Sequence, residues 1–282
     1  VAFMANAQHL YIRTDVLKQH GISTPKTYEE VVAASEKIRA AGKMKYPYAA
    51  AYKAGWNLAE EFVNMYIGHG GEFFKAGTAK PNVNNAKGVA TLNMLKKLAD
   101  LSNPDYLTHD SEAIKVEWEA GNVAIMTLWA SRSGTLLDDE GDAKITAATK
   151  LVAPATVGGG NIPAATLWWD GFTLAKNRPD ADAEASFRAM AHAASSKEMV
   201  AKASDQAVWL VEGFVPGPKS VGVIEAVKMG AKPYPMLPQM GLMHGALGSE
   251  IVEFLQGNES AEQALKDVEA AYMTKAKEQG FL

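Results

Sequence analysis

The chain has 282 residues, of which 48% are hydrophobic and 21% are charged, a balance typical of a folded globular protein. Its 28 Lys and Arg residues against 32 Asp and Glu residues give a formal net charge of −4, which excludes the dense positive charge that nucleic acids and anionic membranes attract. The absence of cysteine excludes disulfides, thiolate nucleophiles and zinc–sulfur sites.

Capping residues mark the expected helix starts. In chain order they are Thr27 with Glu30 three residues later, Asn85, Asp110 or Ser111, Ser195 with Glu198, and Ser260 with Gln263. The side-chain oxygen of such a residue accepts hydrogen bonds from the free backbone N–H groups of the first helical turn. We expect the third helix to end at Gly121, because glycine tolerates the left-handed conformation of a helix exit. After Ser260, apolar residues recur along one face and predict an amphipathic helix.

Short strand signals lie between these helices. The clearest is at residues 123–128, and residues 145–152 and 172–174 are weaker candidates. Strands that alternate with helices predict an α/β architecture. Glycine- and proline-rich runs at residues 157–160, 214–218 and 233–238 are expected to be hinges or crossing segments between two lobes.

Common catalytic signatures are absent from the sequence. It contains no G-x-S-x-G elbow, no phosphate-binding loop, no H-E-x-x-H and no G-x-G-x-x-G. The six histidines are scattered without metal-ligand spacing, so we expect neither a metal ion nor a cofactor. Two carboxylates that meet only in the folded chain would still suit a glycoside hydrolase, and this alternative remains open.

Tryptophan residues give the most informative pattern. Trp118 lies within a predicted helix and is expected in the core, whereas Trp129 follows the 123–128 strand, at the kind of strand end where open α/β sheets bind ligands. Trp168 and Trp169 are adjacent and precede Asp170; in an extended segment one indole would enter the core while the other faces a cleft. An indole offers a flat apolar surface to the C–H face of a sugar ring, and polar side chains bind its hydroxyls. The pattern therefore predicts a carbohydrate-binding cleft, with core packing as the alternative for each ring.

Several segments, taken in order, resemble a known family. They read LYIRTDVL at 10–17, GI at 21–22, PKTYEE at 25–30, WEAGNVAIM at 118–126, GNES at 257–260 and EQAL at 262–265. Each is loose alone, but together they resemble the extracellular solute-binding proteins of bacterial sugar ABC transporters, including the maltose-binding members. The resemblance implies an α/β fold of the type II periplasmic-binding-protein kind, in which two lobes close on a ligand at a hinge.

The resemblance also implies a division of the chain. Residues 1–169 would form the first part of the C-terminal lobe, residues 170–220 a return excursion into the N-terminal lobe, and residues 221–282 a crossing segment and the helical end of the C-terminal lobe. Because members of the family carry a further segment upstream of the 10–17 motif, we expect the N-terminal lobe to be only partly present here.

By the same resemblance, the ligand-binding residues are expected to be Asn6, Gln8, Trp56, Trp129, Arg132, Trp168, Trp169, Asp170 and His244. His244 stands where maltose-binding members place a stacking tryptophan, so a hydrogen bond to the ligand is expected there instead. The implied function is non-catalytic: the protein would bind a sugar or polyol in the periplasm and deliver it to the permease subunits of an ABC importer. We expect no nucleic-acid partner and no direct membrane insertion. A carbohydrate-active hydrolase and a truncated fragment that binds no ligand remain as alternatives.

Overall fold

A computed structural model describes residues 1–138 and 141–282. Its strands are β1 (Ala2–Asn6), β2 (Gln8–Arg13), β3 (Tyr48–Ala49), β4 (Ile125–Trp129), β5 (Thr149–Val152), β6 (Thr166–Gly171), β7 (Val208–Trp209) and β8 (Lys232–Pro233). Its α-helices are α1 (Thr14–Gln19), α2 (Tyr28–Ala40), α3 (Trp56–Gly68), α4 (Ala86–Ala99), α5 (Ser111–Glu119), α6 (Ser133–Leu136), α7 (Ala143–Ala148), α8 (Asp180–Ser195), α9 (Lys197–Lys202), α10 (Val221–Lys228), α11 (Met240–Glu250), α12 (Val252–Gln256) and α13 (Ala261–Glu278). This alternation confirms the predicted α/β architecture.

The described strands form two sheets. The first sheet has the order β3-β4-β2-β5 and the second sheet has the order β7-β1-β6-β8. In the first sheet, β2 is antiparallel to both β4 and β5. In the second sheet, β1 is antiparallel to β6 and β7. The chain passes from the second sheet to the first through the single residue Ala7, which is fully buried.

Local capping signals explain most of the helix starts. Thr27, Asn85, Asp110 and Ser260 each accept a backbone hydrogen bond from the first turn of the helix that follows. The cap predicted at Ser195 is wrong, because this residue is the last of α8 and its hydroxyl donates to the carbonyl oxygen of Ala191 within that helix.

Two strand predictions require correction. The first half of the 145–152 segment is the helix α7, because the Asp142 carboxylate accepts from the backbone N–H of Lys144 and caps a helical turn; only Thr149–Val152 is a strand. The strand expected at 172–174 lies earlier, at Thr166–Gly171. The 123–128 strand is displaced slightly, to Ile125–Trp129.

The largest hydrophobic core lies around α3. Residues Leu58 to Gly68 of this helix are all buried, and they pack with side chains such as Leu92 of α4 and Leu247 of α11. A second cluster contains Trp118, as expected for the core, and the Trp118 indole N–H donates to the Thr149 hydroxyl at 3.1 Å. Within the part of the chain that the structure describes, no helix combines the length and the apolar character needed to cross a bilayer.

The predicted division into lobes stays a prediction. Its boundary between residues 169 and 170 falls inside β6, and the second sheet takes strands from all of the three predicted pieces.

Candidate functional site

Three tryptophan rings from distant parts of the chain meet at one surface. Trp56 is the first residue of α3, Trp129 is the last residue of β4, and Trp168 lies in β6. The ring centroids are 6.3 Å apart for Trp56 and Trp129, 5.8 Å for Trp56 and Trp168, and 6.0 Å for Trp129 and Trp168. Tyr234 continues the group, with its ring 4.4 Å from that of Trp168. We call these four residues the aromatic surface.

The exposure of these rings is graded. Trp56 is 50% exposed, whereas Trp129, Trp168 and Tyr234 are partly buried. The centroid spacings are those of aromatic rings in direct contact, so the rings form one continuous surface on which a flat, weakly polar face can lie. Trp56 is the most accessible platform in this surface.

Close packing of two helices places Trp56. The Gly55 N–H, just before α3, donates to the carbonyl oxygen of Gly248 in α11 at 3.0 Å. A Cβ atom on Gly248 would lie 2.3 Å from the Gly55 carbonyl oxygen, so only glycine permits this approach. Gly55 itself has φ of +97°, a conformation that glycine adopts without strain.

His244 holds two members of the aromatic surface. Its Nε2 lies 3.0 Å from the carbonyl oxygen of Trp56, and its Nδ1 lies 2.9 Å from the hydroxyl of Tyr234. Because a carbonyl oxygen only accepts, Nε2 carries the proton and Nδ1 accepts from the tyrosine. Burial lowers the pKa of His244, which favours this neutral form. The arrangement leaves neither nitrogen free for the ligand hydrogen bond expected from the sequence, so His244 positions Trp56 and Tyr234 instead.

Trp168 rests on buried polar groups. Its indole N–H donates to the Thr166 hydroxyl at 2.8 Å and to Glu60 Oε1 at 3.2 Å. Gln8 lies in the same buried region, where its amide donates to Glu61 Oε1 at 2.9 Å and accepts from Asn64 at 3.1 Å. Gln8 is therefore engaged beneath the surface rather than on it.

The two buried carboxyl groups of α3 have unusual acidities. Burial raises the pKa of Glu60 to about 8 and that of Glu61 to about 8, and the charge of Glu60 adds to the effect at Glu61. Both side chains are buried and hydrogen-bonded to protein groups, so they cannot flank a glycosidic bond. Among the described residues, no group of three or more His, Asp or Glu side chains is placed to hold a metal ion.

Asn6 and Arg132 lie at the strand-end loop beside Trp129. The Asn6 Oδ1 accepts from the backbone N–H of Ala7 and of Ser131, and its Nδ2 donates to the Ser131 hydroxyl. Asn6 thereby fixes the start of the loop. The Arg132 guanidinium forms an ion pair with Glu112, at the start of α5.

Trp169 and Asp170 separate from each other by strand alternation. In the register of β1 and β6, Trp168 lies opposite Asn6 and Trp169 opposite Ala5, so Trp169 faces the other side of the sheet. Its ring is 48% exposed and has no ring contact with Trp56, Trp129 or Trp168 in the described parts of the chain. Asp170 returns to the face of Trp168, where partial burial raises its pKa.

Sequence reasoning missed several residues that build this site. They are Glu60, Glu61, Asn64, Thr166 and Tyr234. Glu60 and Glu61 had a detectable signal, since adjacent carboxylates inside the mostly apolar Leu58–Ile67 stretch of a helix are atypical of a buried face. Tyr234 and Thr166 had none, because only the folded chain brings them to Trp168.

Comparison with known proteins connects this geometry to a family. A family model described as "Bacterial extracellular solute-binding protein" matches residues 1–200. A "Probable ABC transporter-binding protein" of Deinococcus radiodurans is 31% identical over 183 residues, which are 62% of this chain and 42% of that protein. The chain thus spans less than half the length of this curated relative.

Solved structures show the same fold. The maltose-bound MalE3 of T. maritima superposes with a TM-score of 0.84 at 19% identity, over 97% of this chain and 72% of that chain. A solute-binding protein of Agrobacterium radiobacter K84 in complex with ribitol gives 0.79 at 19% identity, over 95% and 69%. One of Agrobacterium vitis S4 with D-mannitol gives 0.79 at 16% identity, over 100% and 74%. These similarities confirm the expected type II periplasmic-binding-protein fold. With a family model that covers most of its length, the chain belongs to the bacterial extracellular solute-binding proteins.

Proposed function

We propose that this chain binds a sugar or polyol on the aromatic surface and, in the periplasm or at the cell exterior, presents it to the permease of an ABC importer without chemical change. The observation that carries the proposal is the convergence of Trp56, Trp129 and Trp168 from three separate elements. The membership of an extracellular solute-binding family and the maltose, ribitol and D-mannitol named for similar structures support it.

Aromatic rings and polar groups would contribute differently to ligand binding. A ring such as Trp56 offers a flat apolar face to the C–H groups of the ligand. Hydrogen-bonding groups around the rings, for which Asn6, Arg132 and Asp170 are the candidates, would select among stereoisomers, because an unpaired buried hydroxyl costs about 1–3 kcal/mol. At about −0.3 kcal/mol per heavy atom, a disaccharide would bind with roughly −7 kcal/mol, which is a Kd on the order of 10 μM.

The lobes predicted from the resemblance belong to the same proposal. Residues 1–169 and 221–282 would act as one lobe, and residues 170–220 as part of the other. Closure would then bring residues 170–220 toward the lobe that carries the first sheet, around a bound ligand.

A matched pair of substitutions tests the binding surface. Trp56 and Trp169 are similarly exposed, at 50% and 48%, but only Trp56 belongs to the aromatic surface. We expect Trp56→Ala to weaken binding of maltose, ribitol or D-mannitol by ~1–1.5 kcal/mol, roughly tenfold, whereas Trp169→Ala leaves affinity unchanged. Tryptophan fluorescence and the ligand-induced rise in Tm provide the measurement.

Three outcomes would count against the proposal. Equal losses in the two variants would remove the aromatic surface from the binding site. The absence of any fluorescence change or Tm rise across a panel of sugars and polyols would favour the non-binding alternative. Release of monosaccharides from a disaccharide during the incubation would indicate a hydrolase.

A further inference from the structure

A continuous chain of buried hydrogen bonds runs beneath the aromatic surface and connects the two sheets. It links Trp168, Thr166, Asn64, Gln8 and Glu61 in that order, and Glu60 joins it through contacts with Trp168 and Thr166. The Thr166 hydroxyl lies 2.8 Å from Glu60 Oε1 and 2.8 Å from Asn64 Oδ1. Asn64 then contacts Gln8 at 3.1 Å, and Gln8 contacts Glu61 Oε1 at 2.9 Å. The chain begins in β6 and reaches β2 through α3.

The hydrogen bonds in this chain can be satisfied only if the carboxyl pair carries at least one proton. Thr166 has a single hydroxyl proton. If Thr166 gives this proton to Asn64, the contact between Thr166 and Glu60 needs a proton from Glu60. The alternative is that the side-chain amides of Asn64 and Gln8 are both flipped. Thr166 then accepts from Asn64 and donates to Glu60. The Gln8 carbonyl oxygen now faces Glu61, so Glu61 must carry the proton of that contact. Each arrangement places one proton on one of the two carboxyl groups.

The surroundings favour the same charge state. Glu60 and Glu61 are adjacent in α3 and buried, and Glu60 Oε2 has no hydrogen-bond partner. The ion pairs of the described residues include neither side chain. Two carboxylates in this position would repel each other, while the pair with one proton carries a single charge.

The other titratable groups near the pair are neutral. Tyr234 lies beside Glu60, and Tyr28, Tyr48 and Tyr52 lie around Glu61. Burial raises the pKa of each of these phenols, and His244, bonded to Tyr234, is neutral. These groups leave Glu60 and Glu61 as the pair that titrates in this region near neutral pH.

We propose that Glu60 and Glu61 share one proton, and that the proton-bearing chain holds Trp168 within the aromatic surface, which makes both carboxyl groups positioning residues for ligand binding. Trp168 depends on this chain because its indole N–H donates to both Thr166 and Glu60. Loss of the proton leaves one contact of the chain with two acceptors and no hydrogen. Where this contact joins Thr166 and Glu60, the two oxygens that accept from the Trp168 N–H repel each other, and the position of the ring is no longer fixed. The ligand part of this inference rests on the proposed function, whereas the shared proton does not.

The direction of the pH effect follows from the raised pKa values. Burial raises the pKa of Glu60 and of Glu61 from the ordinary value of 4.5 to about 8, and because the two adjacent groups titrate together we assign this value to the release of their shared proton. Between these values the folded chain binds more protons than the unfolded chain, so its stability falls as the pH rises through this window. The stabilisation is complete below pH 4.5 and is lost once the pH passes about 8.

Ligand-free measurements test the shared proton. In the unmodified chain, infrared spectroscopy should detect a protonated carboxyl band at pH 7 that disappears by about pH 9, with a parallel change in the near-ultraviolet circular dichroism of the tryptophans. Glu60→Gln supplies the missing hydrogen permanently and should abolish both changes. Glu36→Gln, on the exposed face of α2, is the control and should retain them. Absence of the band in the unmodified chain at pH 7 would overturn the proposal whatever the variants do.

Ligand titrations test the positioning role. If only the protonated chain supports Trp168, maltose affinity should fall up to about fivefold between pH 8 and pH 9, because the protonated fraction falls from about one half to about one eleventh. Glu60→Gln should show no such fall. Affinity that is independent of pH, in a chain that shows the carboxyl band, would refute the positioning role. A chain that binds no sugar at any pH would refute the proposed function; the dichroism change then decides the positioning role alone, and its absence would refute it.

Discussion

The helices α3 and α8 illustrate two regions of this molecule that differ in burial. In α3, every residue from Leu58 to Gly68 is buried, and the helix packs against α4, α11 and β6. In α8, which is longer, no residue is buried. Phe62 is 0% exposed and Phe187 is 49% exposed. The difference shows that helix formation is settled by local signals, whereas burial depends on what the rest of the chain brings against the helix.

The same contrast extends to the sheets. Several large apolar side chains are exposed between residues 169 and 215, a range that includes the end of β6, α8 and β7. They are Trp169, Phe172, Leu174, Phe187, Leu210 and Val215. The first sheet instead contributes to both of the larger cores. We therefore expect the first sheet and α3, with the cores around them, to supply most of the free energy of unfolding.

The largest expected effect comes from truncating a phenylalanine in each region. Phe62→Ala removes a fully buried ring and should lower the free energy of unfolding by about 3–5 kcal/mol, whereas Phe187→Ala should change it by no more than about 0.5 kcal/mol. Urea denaturation measures both. A comparable loss in the two variants would contradict the difference in burial between α3 and α8, because it would mean that the exposed face of α8 is covered in solution.

A smaller effect is expected from two glycines of α11. A methyl group on Gly248 would overlap the backbone of Gly55, so Gly248→Ala should destabilise the chain by about 1–3 kcal/mol. Gly245 lies in the same helix with nothing within 4 Å of its added Cβ, and Gly245→Ala should stabilise by about 0.5–1 kcal/mol. Thermal unfolding would show the opposite signs. Equal shifts in Tm for the two variants would indicate that α11 does not pack closely against the start of α3 at Gly55.

The smallest effect distinguishes two serines with similar sequence signals. Ser260 accepts from the Gln263 N–H and starts α13, so Ser260→Ala should cost about 1 kcal/mol. Ser195 caps no helix, because its hydroxyl bonds within α8, and Ser195→Ala should be neutral to within about 0.5 kcal/mol. The two unfolding midpoints provide the test. A loss at Ser195 as large as at Ser260 would restore the cap that the sequence suggested.

What the sequence predicts well here is local. Thr27, Asn85, Asp110 and Ser260 are helix caps because each bonds within its own first turn. The 145–152 segment was read incorrectly because its apolar residues suit a helix as well as a strand, and the cap at Asp142 decides for the helix.

The candidate site was only partly predictable for a related reason. Residue type singled out Trp129 and Trp168, and the family resemblance added Trp56, but their meeting depends on contacts between α3, β4 and β6 that no local pattern contains. Strand alternation predicted that Trp168 and Trp169 point apart without saying which one joins the others. No local pattern could show that both nitrogens of His244 are occupied, since one partner, the Trp56 carbonyl, lies 188 positions away along the chain.

The passage at Ala7 has a practical consequence. Asn6 and Gln8, on either side of it, are the register partners of Trp168 and Trp129, so the two indoles stand on opposite sides of the one-residue connection between the sheets. Any rotation of one sheet against the other must change the 6.0 Å separation and the near-perpendicular orientation of these rings. Exciton coupling between their transition dipoles would therefore report any movement of one sheet relative to the other, without an attached label.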